Sequence, residues 1–554
     1  MRLRKLPAVR AKSFLVLGCA AGLVSLRAAA QVPGVGGPAL GGAGALYPGA
    51  AAGPAGPVPG PGAPGGGPRW ALAPAIAVSE TYSDNANLAP TNQQKSSFIT
   101  SVTPSLGVIG NGRRVQLNGT VAVQALLYRG EFEQTQIYPR ANLLGSVEAI
   151  EKFFYVEGSA NVYQTYLSAF GPQPVGNIGQ TNNRYTQQTY RVSPYITGRA
   201  PGQTTYFLRN DNVWTTLGNT PSGTPGLNGS YFDQWTGRIV GPVRTVSGTA
   251  EFFTTYTKFP NQPSIDTKLV RAILNYRPIP QELRLFADGG YEWNNYTFQQ
   301  TQDAIYGAGF EWHPSLRTQL SGAAEHRFFG WSYLGTFNHR NPYSALTLSA
   351  SRNVFTYPQQ LLALPAGANV ASLLDAVFTA KIPDPVERAA AVQEFMRQAG
   401  LPDTLQSSVT LYTQQAQLAT QGTASFALIG LRSVLAFTTY YLKSQVVSGA
   451  TGTPLPPVAG IINNNNNTQV GGAITYSYRL TLTTSVGATA THFWSQALPP
   501  LTTKSTTDVL QLFATTRFGT RTDGFAGASY SKFDSSAAAS YNAATVVVGV
   551  AHRF

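Results

Sequence analysis

The chain has 554 residues, of which 43% are hydrophobic, 11% aromatic and only 12% charged, with one cysteine. Its 39 Lys and Arg exceed 25 Asp and Glu for a formal charge of +14, but six basic residues and no acid precede Gln31, leaving +8 beyond that point. Charge so scattered, with no basic run past Gln31 longer than Arg113-Arg114, excludes a nucleic-acid binder, and the cysteine count excludes a disulfide framework.

The chain opens with Arg2, Arg4, Lys5, Arg10 and Lys12, followed by an apolar run from Phe14 to Leu26 and then Ala28-Ala29-Ala30. The run is too short for a membrane span, which needs about 20 residues. Residues 1–30 therefore read as a secretory signal peptide cut between Ala30 and Gln31. Cleavage there removes Cys19, so no thiolate metal site or haem attachment is expected in the exported chain. Residues 31–69 are almost wholly Gly, Ala, Pro and Val, a composition that cannot offset ordering entropy, and should form a flexible periplasmic tail. That tail is too short and too simple to be a folded plug.

From Trp70 onward the apolar period is two. Leu283, Leu285, Ala287, Gly289, Tyr291 and Trp293 alternate with Arg284, Asp288, Glu292 and Asn294. Val115, Leu117, Val121 and Val123 alternate with Gln116, Asn118, Thr120 and Gln124. One lipid face and one wet face on each segment predict a transmembrane antiparallel β-barrel over residues 70–554. Tight turns are expected near Gly110-Asn111-Gly112, Glu151-Lys152, Ala200-Pro201-Gly202, Pro278-Ile279-Pro280, His313-Pro314-Ser315, Asn341-Pro342 and Asp523-Gly524. Longer connections lie between them, as at 83–95, 171–184, 218–230 and 447–467. The count gives about 22 strands, within a range of about 18 to 24, and an even number puts both termini in the periplasm.

Residues 358–406 break the pattern. Val370, Leu373, Leu374, Val377 and Phe378 follow a helical period. A second helix is expected from the cap Asp384 and Pro385, presenting Val392, Phe395, Met396 and Ala399 and stopping at Gly400. The turn count places this helical pair on the extracellular side. Its apolar stripes must pack into the barrel mouth, against each other or on a partner, with a self-packed cap over the mouth favoured.

No catalytic, cofactor-binding or metal-ligating constellation emerges. His313, His326, His339, His492 and His552 are scattered, and Glu325 and His326 point to opposite faces of a strand. No nucleophile elbow or phosphate loop is present, so an enzyme is not expected. Function should reside instead in the lumen-facing residues Arg271, Arg277, Arg284, Asp288, Glu292, Glu311, Arg317, Glu325 and Arg327. Opposed charges on neighbouring strands brace a wide barrel and set the field that a polar solute crosses.

The chain ends Val546-Val547-Val548-Gly549-Val550-Ala551-His552-Arg553-Phe554. A terminal alternating strand closed by an aromatic resembles the signal read by the bacterial barrel-assembly machinery, with Gly549, His552 and Phe554 as its marked positions. The segment Ser79-Glu80-Thr81-Tyr82-Ser83-Asp84-Asn85-Ala86-Asn87-Leu88 resembles the opening of a family of outer-membrane β-barrel proteins associated with the PEP-CTERM/exosortase system in Gram-negative bacteria. Pro383-Asp384-Pro385-Val386-Glu387-Arg388 with Gly400-Leu401-Pro402 is similar to that family's large loop. The resemblance implies a cell-envelope protein of exopolysaccharide loci. Its expected partners are outer-membrane lipid, the assembly machinery and polysaccharide or its export proteins. A channel for exopolysaccharide export or surface assembly is the leading expectation; the alternatives are a plugged scaffold barrel that docks surface material and a general diffusion porin.

Overall fold

Every strand in this chain has two hydrogen-bonding neighbours, because the last strand pairs with the first. The computed structural model describes residues 69–554 except 132, 175, 219–228, 261, 297–299, 363–369, 380, 383–384, 400, 402–410 and 448–465. The expected signal peptide with Ala30 and Gln31, the Gly/Pro/Ala-rich segment up to Pro68, and the expected Asp384 cap and Gly400 stop lie outside the described residues.

The first strands are β1 (Arg69–Ser83), β2 (Ser97–Asn111), β3 (Val115–Gly130), β4 (Gln134–Ile150), β5 (Phe154–Tyr166), β6 (Arg184–Arg199), β7 (Thr205–Gly218) and β8 (Ser230–Val240). They continue as β9 (Val246–Lys258), β10 (Ile265–Ile279), β11 (Leu283–Tyr296), β12 (Gln300–Ser315), β13 (Thr318–Arg327), β14 (Gly330–Arg340) and β15 (Ser344–Phe355). After a helical connection come β16 (Gln417–Ile429), β17 (Ser433–Val446), β18 (Asn467–Arg479), β19 (Thr484–Ala497), β20 (Lys504–Arg517), β21 (Thr522–Ser535) and β22 (Tyr541–Arg553). Each pairs antiparallel with its chain neighbour, and β1 closes on β22 from Ala75↔Arg553 to Ser83↔Thr545. The result is a closed 22-stranded up-and-down barrel. Closure leaves no unpaired sheet edge for lipid to meet, which is the condition for strands to cross a bilayer.

The pleat sorts the side chains as the period of two requires. Leu274, Leu285, Tyr291, Trp293, Tyr306, Val546 and Val548 are exposed on the outer wall, while Asn275, Glu292, Asn294, Glu325, Gln511 and Ser529 are buried inside. At one rim the turns are short, as at 112–114, 280–282 and 341–343, and both β1 and β22 have their outer ends there. Two turn expectations shift. Leu316 and Arg317 form the β12–β13 turn, because β12 runs on to Ser315. Asp523-Gly524 lies inside β21; the reversal is made by 518–521, where the Phe518 and Gly519 amides donate to the Thr522 carbonyl at 3.0 and 3.3 Å.

At the opposite, long-loop rim the wall is not uniform. β4 pairs with β3 up to Gln134, but with β5 only from Ala141 downward. Pro139, which has no amide to donate, sits where β4 has lost this neighbour, and the Gln164 side-chain amide donates to its carbonyl at 2.8 Å. The freed tip of the β5–β6 hairpin is buried on both faces. One face places the Tyr185 hydroxyl 3.1 Å from that of Tyr357; the other places Arg184 on Tyr138 of β4 at 3.2 Å. The following loop, 167–183, reaches strands far around the barrel, since Ser505 and Ser535 donate to the Ala169 and Phe170 carbonyls at 2.8 and 3.0 Å.

The β15–β16 connection carries α1 (Tyr357–Leu362), α2 (Val370–Phe378) and α3 (Pro385–Ala399). Its amphipathic stripes do pack on each other: Leu374, Val392 and Met396 form one buried cluster, with Phe378 and Phe395 rings 5.4 Å apart at its side. The cluster continues into Val434 and Ala436 of β17 and Ala473 of β18, so the helices sit against the inner wall rather than as a cap above the mouth. The Leu401 amide closes α3 on the Met396 carbonyl at 3.0 Å.

Candidate functional site in the barrel lumen

Three constructions occupy the inside of the wall. The first is a ladder of charge. Arg238 on β8 pairs with Glu251 on β9 at 3.0 Å, and Glu251 pairs with Arg271 on β10 at 2.9 Å. Arg271 also reaches Glu325 on β13 at 3.0 Å, Glu325 lies 4.0 Å from Arg327, and Arg327 holds Glu292 on β11. Crossing two strands is possible because the inward face of β12 is bare at Gly307. A Cβ there would lie 2.4 Å from the Ala324 carbonyl oxygen and 2.9 Å from Asp288 Oδ1. On the next strands Arg209 joins Glu157 at 2.7 Å and Asp211 at 2.9 Å. Paired in this way, charges tolerate burial that would expel any one of them alone.

Seven of the nine candidate wall residues come together here or beside it: Arg271, Asp288, Glu292, Glu325 and Arg327 in the ladder region, and Arg284 with Glu311 at 2.7 Å. Arg277 stands on the same face nearer the short-turn rim, donating to Ser247 Oγ at 2.8 Å. Arg317 is not on the wall. It occupies the exposed β12–β13 turn, because β12 extends further than its His-Pro-Ser sequence suggests. Glu157, Arg209, Asp211, Arg238 and Glu251 were missed, although the same alternation on β5 to β9 marks them as inward.

The second construction sits at the long-loop mouth. Tyr185, Phe259, Ile265, Tyr296, Tyr357, Leu361 and Tyr412 form one buried cluster that joins β6, β10, β11 and the inserted connection. Tyr357 is 0% exposed and its ring meets Tyr412 edge-on at 5.0 Å. Its hydroxyl donates to Gln187 of the β5–β6 tip. Rings from distant strands meeting in one core leave this part of the lumen filled.

The third is a polar clasp at the far end of α3. Arg397 donates to Glu394 at 2.5 Å and to Asp523 of β21 at 3.2 Å. Arg517 of β20 reaches Glu394 at 2.9 Å, and Arg553 of β22 reaches Asp523 at 2.7 Å. Ser485 Oγ donates to the Gln398 carbonyl at 2.6 Å. All the wall partners flank short turns, so the insert leaves the wall at one rim and is fastened near the other. Burial alone would raise the Glu394 carboxyl pKa, but hydrogen bonds from Arg397, Gln398 and Arg517 and the charge of Arg397 outweigh it and bring it down to about 2.

The terminal positions are structural. Phe554 is exposed on the outer wall and its amide donates to the Pro74 carbonyl at 3.0 Å, while His552 Nδ1 is 2.9 Å from Thr522 Oγ1. At Gly549 a Cβ would lie 2.4 Å from the Phe525 ring and 2.7 Å from Ser79 Cβ, so the seam between β22 and β1 closes only around a bare backbone. The Asp84–Leu88 segment serves the same seam. Asp84 exchanges backbone and side-chain bonds with Ala544, and the Asn85 amide donates to the Ala89 and Asn542 carbonyls, each at 2.8 Å. On the outer wall His492 meets Asp508 across strands at 2.6 Å, a contact that the spacing of the histidines did not reveal.

No protein-family model matches the chain, and no curated protein matches it. Among solved structures it is similar to a loop-deletion mutant of the outer-membrane protein OmpT of Vibrio cholerae, at 8% identity over 88% of this chain and 100% of that one, with a TM-score of 0.29. The Pseudomonas aeruginosa protein OccD3 aligns at 10% identity over 87% and 91% of the two chains, with a TM-score of 0.28. The ferripyoverdine receptor of the P. aeruginosa outer membrane aligns at 9% identity over 87% and 72%, with a TM-score of 0.38. The ground for the assignment is the barrel's own geometry: this chain is a closed, 22-stranded β-barrel of the outer-membrane type.

Proposed function

We propose that the chain is an outer-membrane passage for saccharide-class material, held shut by its own β15–β16 connection and serving exopolysaccharide export or surface assembly. One observation carries the gated-passage reading: the insert lies inside the wall and is fastened at its far end by a small polar clasp centred on Arg397 and Asp523. The ion pairs of the clasp are only partly buried, so water can compete for them as it does for surface pairs. The balanced charges of the wall suit a polar, hydroxyl-rich solute better than a selective ion path. The saccharide and exopolysaccharide part is supported by the Ser79–Leu88 resemblance. In this reading both termini face the periplasm, the barrel-assembly machinery inserts the chain, and it performs no catalysis.

Planar-bilayer recording tests it. The wild type should show small, rare openings; deletion of residues 361–400 should give a large steady conductance that falls when a long glycan is added. A deletion protein that folds but stays closed would overturn the reading. That outcome would favour the second one, a plugged scaffold that docks surface material without passing it, for which the continuous aromatic cluster around Tyr185, Tyr357 and Tyr412 speaks.

A further inference from the structure

Two turns at the short-turn rim are built alike. Between β12 and β13 the tip carries Leu316 and Arg317. Arg340, which ends β14, donates its Nη2 to the Leu316 carbonyl at 3.1 Å and its amide to the Arg317 carbonyl at 2.9 Å. Between β16 and β17 the tip carries Leu431 and Arg432, and Arg479, which ends β18, donates to their carbonyls in the same way at 3.0 and 2.7 Å. The bond to a tip carbonyl holds each strand-end guanidinium at the rim. Each turn thus sets two arginines side by side behind one leucine, and both leucines are 96% exposed.

Like charges on bonded neighbours repel, so each pair is costly unless something negative joins it. The β2–β3 turn shows the usual solution: the Glu148 amide donates to the Arg114 carbonyl at 2.8 Å, and Glu151 pairs with the Arg114 side chain at 3.2 Å. Arg553 is joined to Arg521 by the same backbone bond at 2.9 Å, but there Asp523 meets Arg553 at 2.7 Å. Among the described residues Arg317, Arg340, Arg432 and Arg479 form no ion pair. A leucine left wholly in water also forgoes the gain of entering an apolar phase. Trp312 on β12 and Tyr476 on β18, 43% and 46% exposed on the outer wall, stand beside the two turns as aromatic residues do at a membrane interface. A surface that offers phosphate and hydrocarbon together answers both needs. We infer that each turn, Leu316-Arg317 with Arg340 and Leu431-Arg432 with Arg479, holds the phosphate of one anionic phospholipid, with the leucine among its upper acyl carbons. Paired guanidinium N–H groups match phosphate oxygens, and two guanidiniums together favour a headgroup of net negative charge over a zwitterionic one. That the leaflet concerned is the periplasmic one rests on the orientation proposed above; the lipid contact does not.

Native mass spectrometry of the full-length barrel in detergent, titrated with phosphatidylglycerol or with phosphatidylcholine of the same acyl chains, tests this. Two phosphatidylglycerol molecules should bind per chain, each about fivefold tighter than phosphatidylcholine, the effect of about one basic residue at an anionic lipid surface. Arg317→Gln should leave one such site, and Arg317→Gln with Arg432→Gln should leave none. Arg113→Gln with Arg199→Gln, the same change of charge on two other short turns, should leave both. Arg317→Lys with Arg432→Lys keeps the charge and loses the paired donors; it should weaken binding about threefold, and it carries the test if the glutamine variant gives no heat-modifiable barrel. Equal binding of the two lipids, or unchanged binding in the folded double variants, overturns the sites and leaves the arginines to an acidic protein surface. Equal loss in the Arg113 and Arg199 variant overturns the assignment to these two turns. Tryptic cleavage at Arg317 and Arg432 from outside intact cells would overturn the periplasmic placement and leave the lipid sites standing.

Discussion

Arg397 and Asp523, 126 residues apart in the chain, meet at 3.2 Å near the short-turn rim, so the far end of the insert is held by the second-last strand. Asp523→Asn should loosen that hold while leaving the wall ladder of β21 intact. The expected result is more frequent opening in bilayer recordings with unchanged heat-modifiable mobility. A double change with Arg397→Gln should have less effect than the sum of the two single changes, because they share one contact, while each also loses a second partner, Glu394 for Arg397 and Arg553 for Asp523.

The clasp should also respond to acid in a defined direction. Glu394 has its pKa lowered in the folded protein to about 2 from an ordinary value of 4.5. A depressed carboxylate contributes stability that is complete above its unfolded pKa and is lost as pH falls through the folded one. Seating of the insert should therefore be flat from neutral pH to about 5 and weaken progressively toward about 2. Protease accessibility of the insert across that range measures it; a transition centred near neutrality would show that another group governs seating.

Glu292 is 0% exposed and holds Arg327 from the neighbouring part of the wall. Glu292→Gln should destabilise the barrel by about 3–5 kcal/mol, the usual consequence of removing one partner of a buried pair, since Arg327 then keeps Glu325 only at 4.0 Å. Adding Arg327→Met should recover much of that loss. Denaturant unfolding in lipid vesicles distinguishes the two; equal stability of the wild type and the single variant would mean that water replaces the partner.

Gly549→Val should hinder assembly. The side chain would need the space of the Phe525 ring and of Ser79 at the β1–β22 seam, an overpacking that costs about 1–3 kcal/mol. Slower appearance of the heat-modifiable form in a refolding assay is the expected readout, and Phe525→Ala in the same chain should partly rescue it.

The wall was readable because a strand with lipid on one side and water on the other leaves an unambiguous period of two, as in Leu283 to Asn294. The helices of the insert were equally plain from Val370 to Phe378 and from Val392 to Ala399. Their destination was not. An apolar stripe states that a helix must be covered, not by what, and Val434, Ala436 and Ala473 become its cover only once the barrel has closed. Asp523-Gly524 has the composition of a hairpin turn, yet the aspartate is used for its charge on a strand. The β5–β6 tip is buried on both faces by polar and aromatic side chains such as Gln164, Tyr185 and Gln187, and its alternation resembles that of an ordinary wall strand. Arg184 beside Tyr185 looks like a rim charge until the tip leaves β4. The Ser79–Leu88 segment carried a resemblance but no stated geometry, and Asn85 in it donates to the Asn542 carbonyl at the seam.

Asp523 has a second ligand of the same kind: Arg553, at 2.7 Å, on the strand that completes the circle. One carboxylate thus serves both the inserted helix and the closing strand, and thermodynamic reciprocity applies to anything that shares a partner. Whatever free energy the closed wall lends to a seated insert, the seated insert returns to the closed wall. In the proposed passage, the seating of α3 and the hold on the closing strand are therefore not independent, because Arg397 and Arg553 share the Asp523 carboxylate and a change at one is felt at the other.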